Sequence, residues 1–145
     1  MIQRIQSLFI LIAAGFGVLL FFVPIISINY DNSAITFNAT GYVAEKSWYL
    51  VLLSIICVVT MFTQLFMYKN RKKQMLTGKI SICLWILWIF VFSLFVYLHY
   101  NSYTTAKFSI HFGAIFPVLI IIFVLLANRN IKKDEELVRS IDRIR

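Results

Sequence analysis

Residues 47–68 read SWYLVLLSIICVVTMFTQLFMY, a run that holds no Asp, Glu, Lys, Arg or His. Wound as a helix at about 1.5 Å per residue, it reaches roughly 30 Å, the thickness of a bilayer's hydrocarbon core. Lipid offers no hydrogen bonds, so only helices and closed barrels satisfy their backbone there. The run lacks the period-two alternation of a barrel strand, so it predicts a membrane-spanning helix. Working outward, three more apolar blocks follow the same logic, at 5–23, 80–100 and 108–127, each about 20 residues long. The whole chain agrees: of its 145 residues 61% are hydrophobic and 14% charged, far from the make-up of a water-soluble domain. Five Gly and two Pro exclude collagen-like repeats, and 14 Phe, 7 Tyr and 3 Trp supply too much apolar surface for a disordered chain. The expected fold is an all-α, four-helix antiparallel bundle forming one domain.

The block at 5–23 could pass for the apolar part of a cleaved leader, with Arg4 as its charged head. No A-x-A cleavage site follows it, so it reads as a retained span that Pro24 terminates. Orientation comes from the cations. Of 14 Lys and Arg, Lys46 and Lys107 alone fall on one side; the rest flank the ends that the positive-inside rule holds in the cytoplasm. Both termini are therefore expected to be cytoplasmic. Tyr30, Tyr42, Trp48, Tyr49, Tyr97, Tyr100 and Tyr103 gather near the opposite boundary as an interfacial belt. The net charge of +8 is explained by topology and anionic headgroups, with no basic domain to hold nucleic acid.

Between the spans lie outer loops at 24–46 and 101–107 and a cytoplasmic loop at 69–79, with a cytoplasmic tail at 128–145. In the first loop, Ile25 to Tyr30 and Ala34 to Asn38 flank Asp31-Asn32-Ser33, which is turn chemistry. This predicts a β-hairpin capping the bundle, to which the β-rich stretch Tyr103–Ile110 can add a strand. Asn38-Ala39-Thr40 fits a glycosylation sequon by chance. Gln74 and Gly78 mark the cytoplasmic loop as a simple turn. The tail spaces Leu137, Val138, Ile141 and Ile144 along one helical face. Its charged side carries the four-apart pairs Lys132–Glu136 and Glu135–Arg139. It reads as an amphipathic helix, either lying on headgroups or docking a partner through Leu137, Val138, Arg139, Ile141 and Ile144.

Chemistry is sparse. Cys57 and Cys83 differ in depth by about 10 Å along their helices, too far for a bridge, and serve as small packing residues. His99 and His111 end the last two spans on the outer side and could meet. A zinc site wants three or four ligands, so interfacial packing is the preferred reading and a metal or bis-His haem site the low-ranked one. Inside the spans the polar residues are Ser54, Thr60, Thr63, Gln64, Ser81 and Ser93, none of them ionisable, which argues against an ion-coupled carrier. Gln64 is expected to hydrogen-bond between helices. Ala13 with Gly17 forms a small-residue face, and Gly113 with Pro117 a close approach and a kink. Trp85 and Trp88 form a packing stripe. No phosphate loop, H-E-x-x-H helix, nucleophile elbow or C-x-x-C pair occurs, and the outer loops lack the cysteines of thiol-oxidising four-helix enzymes.

Around the four spans, the opening MIQRIQSLFILIAA and the closing KKDEELVRSIDRIR resemble a family of small bacterial inner-membrane proteins catalogued only as a domain of unknown function. The resemblance covers the whole chain and implies a four-span protein of the bacterial inner membrane, with no catalytic residues to carry over. The functional expectation is a non-enzymatic accessory or scaffold subunit of a membrane complex, without a cofactor. Its partners would be lipids and another integral membrane protein or a second copy. The alternatives are an oligomeric transporter of small solutes or lipids and, ranked last, a haem or quinone enzyme using His99 and His111.

Overall fold

The computed structural model describes residues 3–30, 33–39, 41–42, 48–100 and 107–142. In chain order these form α1 (Gln3–Leu19), β1 (Ile26–Tyr30), β2 (Ser33–Asn38), β3 (Gly41–Tyr42) and α2 (Trp48–Phe66), then α3 (Arg71–Tyr100), β4 (Lys107–Ile110) and α4 (Phe116–Asp142). Short 3₁₀ turns at Met67–Lys69 and Phe112–Ile115 lead into α3 and α4. The fold is mostly helical. Helices α2, α3 and α4 are long and apolar enough to cross a membrane, whereas the apolar part of α1, Ile5–Leu19, is shorter.

The helices close into a ring, α1 packing on α2 and α4, and α3 on α2 and α4. The start of α1 meets the end of α4 through Gln6 and Asp134, and the other end of α1 meets the start of α4, where the Phe16 and Phe116 rings lie 5.2 Å apart. Those contacts make the pair antiparallel. After α1, hydrogen-bonded turns continue to Val23, whose N–H reaches the Leu19 carbonyl at 3.0 Å. Pro24 follows, and its missing donor ends these turns, so α1 itself is shorter at this end than the expected span at 5–23.

The expected hairpin is present. β1 and β2 pair antiparallel with Ile26 opposite Phe37 and Ile28 opposite Ile35, while the turn residues Asp31 and Asn32 lie outside the described residues. β4 adds to the other side of β1, and the strand order is β3-β2-β1-β4. Ile28, Ile35 and Phe37 are buried, so this face of the sheet closes one end of the bundle, with Phe37 edge-on to Phe95 at 6.0 Å. Three backbone bonds fasten the sheet to neighbouring segments: Ile25 N–H to Phe37 O at 2.8 Å, Ala39 N–H to Leu20 O at 3.1 Å, and His111 N–H to Ile25 O at 3.0 Å.

Four sequence readings change. The stretch 69–79 is no simple turn: α3 already starts at Arg71. Its charged residues are good helix formers, and the helix runs past the apolar block they flank. The fourth helix begins at Phe116 instead of 108, because pairing with β1 claims Lys107–Ile110. Pro117 consequently sits in the first turn, where the ring is tolerated, and does not kink the helix interior. The amphipathic tail is no separate helix either, since α4 continues unbroken to Asp142.

The outer surface of the bundle is apolar, unlike that of a soluble protein, and its mostly apolar core also holds buried polar side chains. Leu8, Leu11, Leu52, Ile55, Ile86, Phe90 and Leu125 face outward, each at least half exposed or nearly so. Inside lie Gln6, Ser54, Gln64, Gln74, Ser81 and Asp134, all buried.

Candidate functional site

Two regions of the bundle carry its polar and concave features, one at the sheet end and one at the opposite, charged end. At the sheet end, Trp88 Nε1 donates to Ser54 Oγ at 2.7 Å. The same hydroxyl lies 2.9 Å from Ala39 O and 2.8 Å from Leu50 O, its single proton serving one of them at a time. Three segments, α2, α3 and the link between β2 and β3, thus meet at one serine. Trp88 stacks on Phe92 with rings 5.0 Å apart and 10° from parallel, and Trp85 Nε1 points at Met61 Sδ, 3.3 Å away. Gly17 of α1 makes room for this layer, because a Cβ there would stand 3.2 Å from Val58 and 3.4 Å from Trp85. The expected small-residue face of Ala13 and Gly17 is therefore spent within the chain.

Toward the charged end the interior turns to carboxamides. Gln64 of α2 donates from Nε2 to Asn128 Oδ1 of α4 at 3.1 Å, the interhelical bond expected of it. Gly78 of α3 lies against this pair; a Cβ there would overlap the Asn128 and Gln64 amides. The residue that looks like a turn marker is a packing requirement inside a helix. Gln64 Oε1 is buried with no hydrogen-bond partner among the described residues. About 9 Å further along α4, Gln6 donates to the Asp134 carboxylate, and Arg71 Nη1 donates to the Asp134 carbonyl at 3.1 Å. Ser81 and Thr60 join α3 to α2 between these layers and the tryptophans, at 3.2 Å.

The structure places the sequence-nominated residues as follows. His111 Nε2 is 2.9 Å from Ser27 Oγ at the root of β1; His99 lies on the last turn of α3, with its side chain outside the described residues. Among the described residues no three His, Cys, Asp or Glu come together as a metal would need. Cys57 is buried, its thiol 3.7 Å from Leu84 O, whereas Cys83 is exposed. Leu137 projects outward, 55% exposed. Val138, Arg139 and Ile141 lie on the last turns of α4, and Ile144 falls outside the described residues. Of the tail's expected ion pairs, Lys132–Glu136 forms at 3.8 Å on an exposed face. Hydropathy reading missed Gln6, Arg71, Asn128 and Asp134: Arg71, Asn128 and Asp134 lie in stretches that count as polar flank, and Gln6 is a single polar residue at the edge of the block at 5–23.

One concavity stands out. Between the sheet-end halves of α3 and α4, a groove of about 570 Å³ is open along one side and lined by Trp88, Phe92, Val96, Ala114, Pro117 and Ile25, with Ser93 and Tyr97 supplying its hydroxyls. Gly113 lets this corner close, since a Cβ there would stand 2.5 Å from the Pro24 carbonyl oxygen.

A family model described as "Domain of unknown function (DUF4293)" matches residues 2–144. No curated protein and no solved structure matches the chain.

Proposed function

The chain belongs to this DUF4293 family, and we propose that it is a non-enzymatic integral protein of the bacterial inner membrane, an accessory or scaffold subunit with both termini in the cytoplasm. The observation that carries the reading is the apolar exterior. Outward apolar side chains cover the helices while six polar ones are packed inside, an arrangement stable where the solvent is hydrocarbon and unpaired amides are costly. The cation asymmetry supports the orientation. The absence of catalytic chemistry is read from the interior, where Met61, Trp85, Trp88 and Phe92 fill the space between helices.

With no hydrophobic drive between helices in lipid, partners bind through packing and interhelical hydrogen bonds. The outward faces and the projecting end of α4 from Leu137 onward supply the surface. Purification in mild detergent, followed by mass spectrometry, tests this. A stoichiometric integral membrane partner or a defined homo-oligomer is expected, and truncation after Glu136 should release it while leaving the bundle folded. A lone monomer, unchanged by that truncation, overturns the proposal. The transporter reading draws on the open groove, and flux into proteoliposomes is its test.

A further inference from the structure

We propose that the groove between α3 and α4 is a binding site for one acyl chain of a phospholipid in the leaflet at the sheet end. The inference rests on the membrane-embedded reading and deepens it. Three features select the occupant.

The first is length. From Trp88 to Tyr97, α3 rises about 13 Å, close to half of the roughly 30 Å hydrocarbon core. With the sheet end at headgroup level, the α3 wall of the groove reaches about half-way into that core, the depth of a single acyl chain. The second is lining. Its walls are aliphatic and aromatic, with the Tyr97 hydroxyl at the sheet end and the small Ser93 hydroxyl midway along the α3 wall. Tyr97 is 61% exposed, placed where a ring with a polar tip meets ester and phosphate oxygens. The third is the opening. The groove is open along its side, so a chain can enter from the bilayer without the bundle parting, and its volume of about 570 Å³ is that of a ligand site.

The groove follows from the fold. The sheet roots at Ile25, held by His111 N–H and by the Gly113–Pro24 approach. Helix α4 therefore starts beside the sheet, and the space between it and α3 is left to Ala114, Pro117 and Val118, none of them large.

The test is native mass spectrometry of the full chain, stripped of lipid in detergent and titrated with palmitoyl-oleoyl phosphatidylglycerol or phosphatidylethanolamine. Retention should saturate at one phospholipid per chain. Ala114→Phe fills the groove and should weaken retention by about tenfold, and Tyr97→Phe, which removes one hydroxyl donor, by about threefold. Val118→Phe adds bulk at an exposed rim position, so it blocks the groove even if Ala114→Phe misfolds. Uptake that rises without saturating, or that both blocking variants leave unchanged, overturns the proposal. So does preferential retention of an isoprenoid quinone offered in the same titration, or a dimer that the blocking variants dissolve. Failure of the membrane reading itself would show separately, as release of the chain from membranes by alkaline carbonate.

Discussion

Gly78 is the residue on which the charged end turns. Its hydrogen lets the α3 backbone approach the Gln64–Asn128 pair, so Gly78→Ala should destabilise the bundle by about 1–3 kcal/mol through overpacking. Asn128→Ala should recover part of that loss in the double variant, measured by unfolding in mixed micelles, because it removes the group the new methyl meets. Independent, additive losses would contradict the geometry. Ser54→Ala should cost about 1–2 kcal/mol, since it leaves the Trp88 indole N–H without its acceptor in a dry interior. In a Trp88→Phe background the same substitution should cost measurably less, and equal costs in both backgrounds would dismiss the bond. Neither role could be read from sequence. Gly78 sits among Lys and Gln where a turn is the economical reading, and Ser54 is one hydroxyl in an apolar run. Gln6 and Asp134 are separated by 128 positions, and no local pattern announces such a pair.

At the scale of elements, the apolar blocks were legible from their length and lack of charge, and the hairpin from the alternation of Ile35 and Phe37 with polar neighbours beside a turn. Where each helix stops was less so. Hydropathy reports where lipid would end, whereas a helix ends where its backbone bonds do, and α3 and α4 both run on through charged residues. The start of α4 escaped for the converse reason: Phe108 and Ile110 are apolar enough for a span yet pair as a strand with β1. The continuity of α4 separates two truncations that hydropathy would treat alike. Removal of residues 137–145 should leave the thermal midpoint nearly unchanged, since the last buried side chain described on α4 is Asp134. Ending the chain at Lys133 should lower it clearly, by taking away the partner of Gln6 and Arg71. Equal midpoints for the two would show that the Asp134 contacts carry no stability.

For the whole molecule, the ring of helices, the sheet at one end and the cations at the other make a body with two unlike poles. Reporter fusions at the two termini should give the same compartment, as the proposed four crossings require. Signals from opposite sides would leave an odd number of crossings and undo the arrangement. Only the coarse plan of this body was accessible from the sequence, because hydropathy records which solvent a segment prefers and not which neighbour it meets. Helix α4 joins those poles. It is seated beside the sheet through the His111 and Gly113 contacts, packs along α1 and α3, and carries Leu137 at its far end without an interior proline or glycine. Such a rod has no joint at which to yield. A tilt imposed on its exposed tip is conveyed as leverage to the root of the sheet, so the two poles move together.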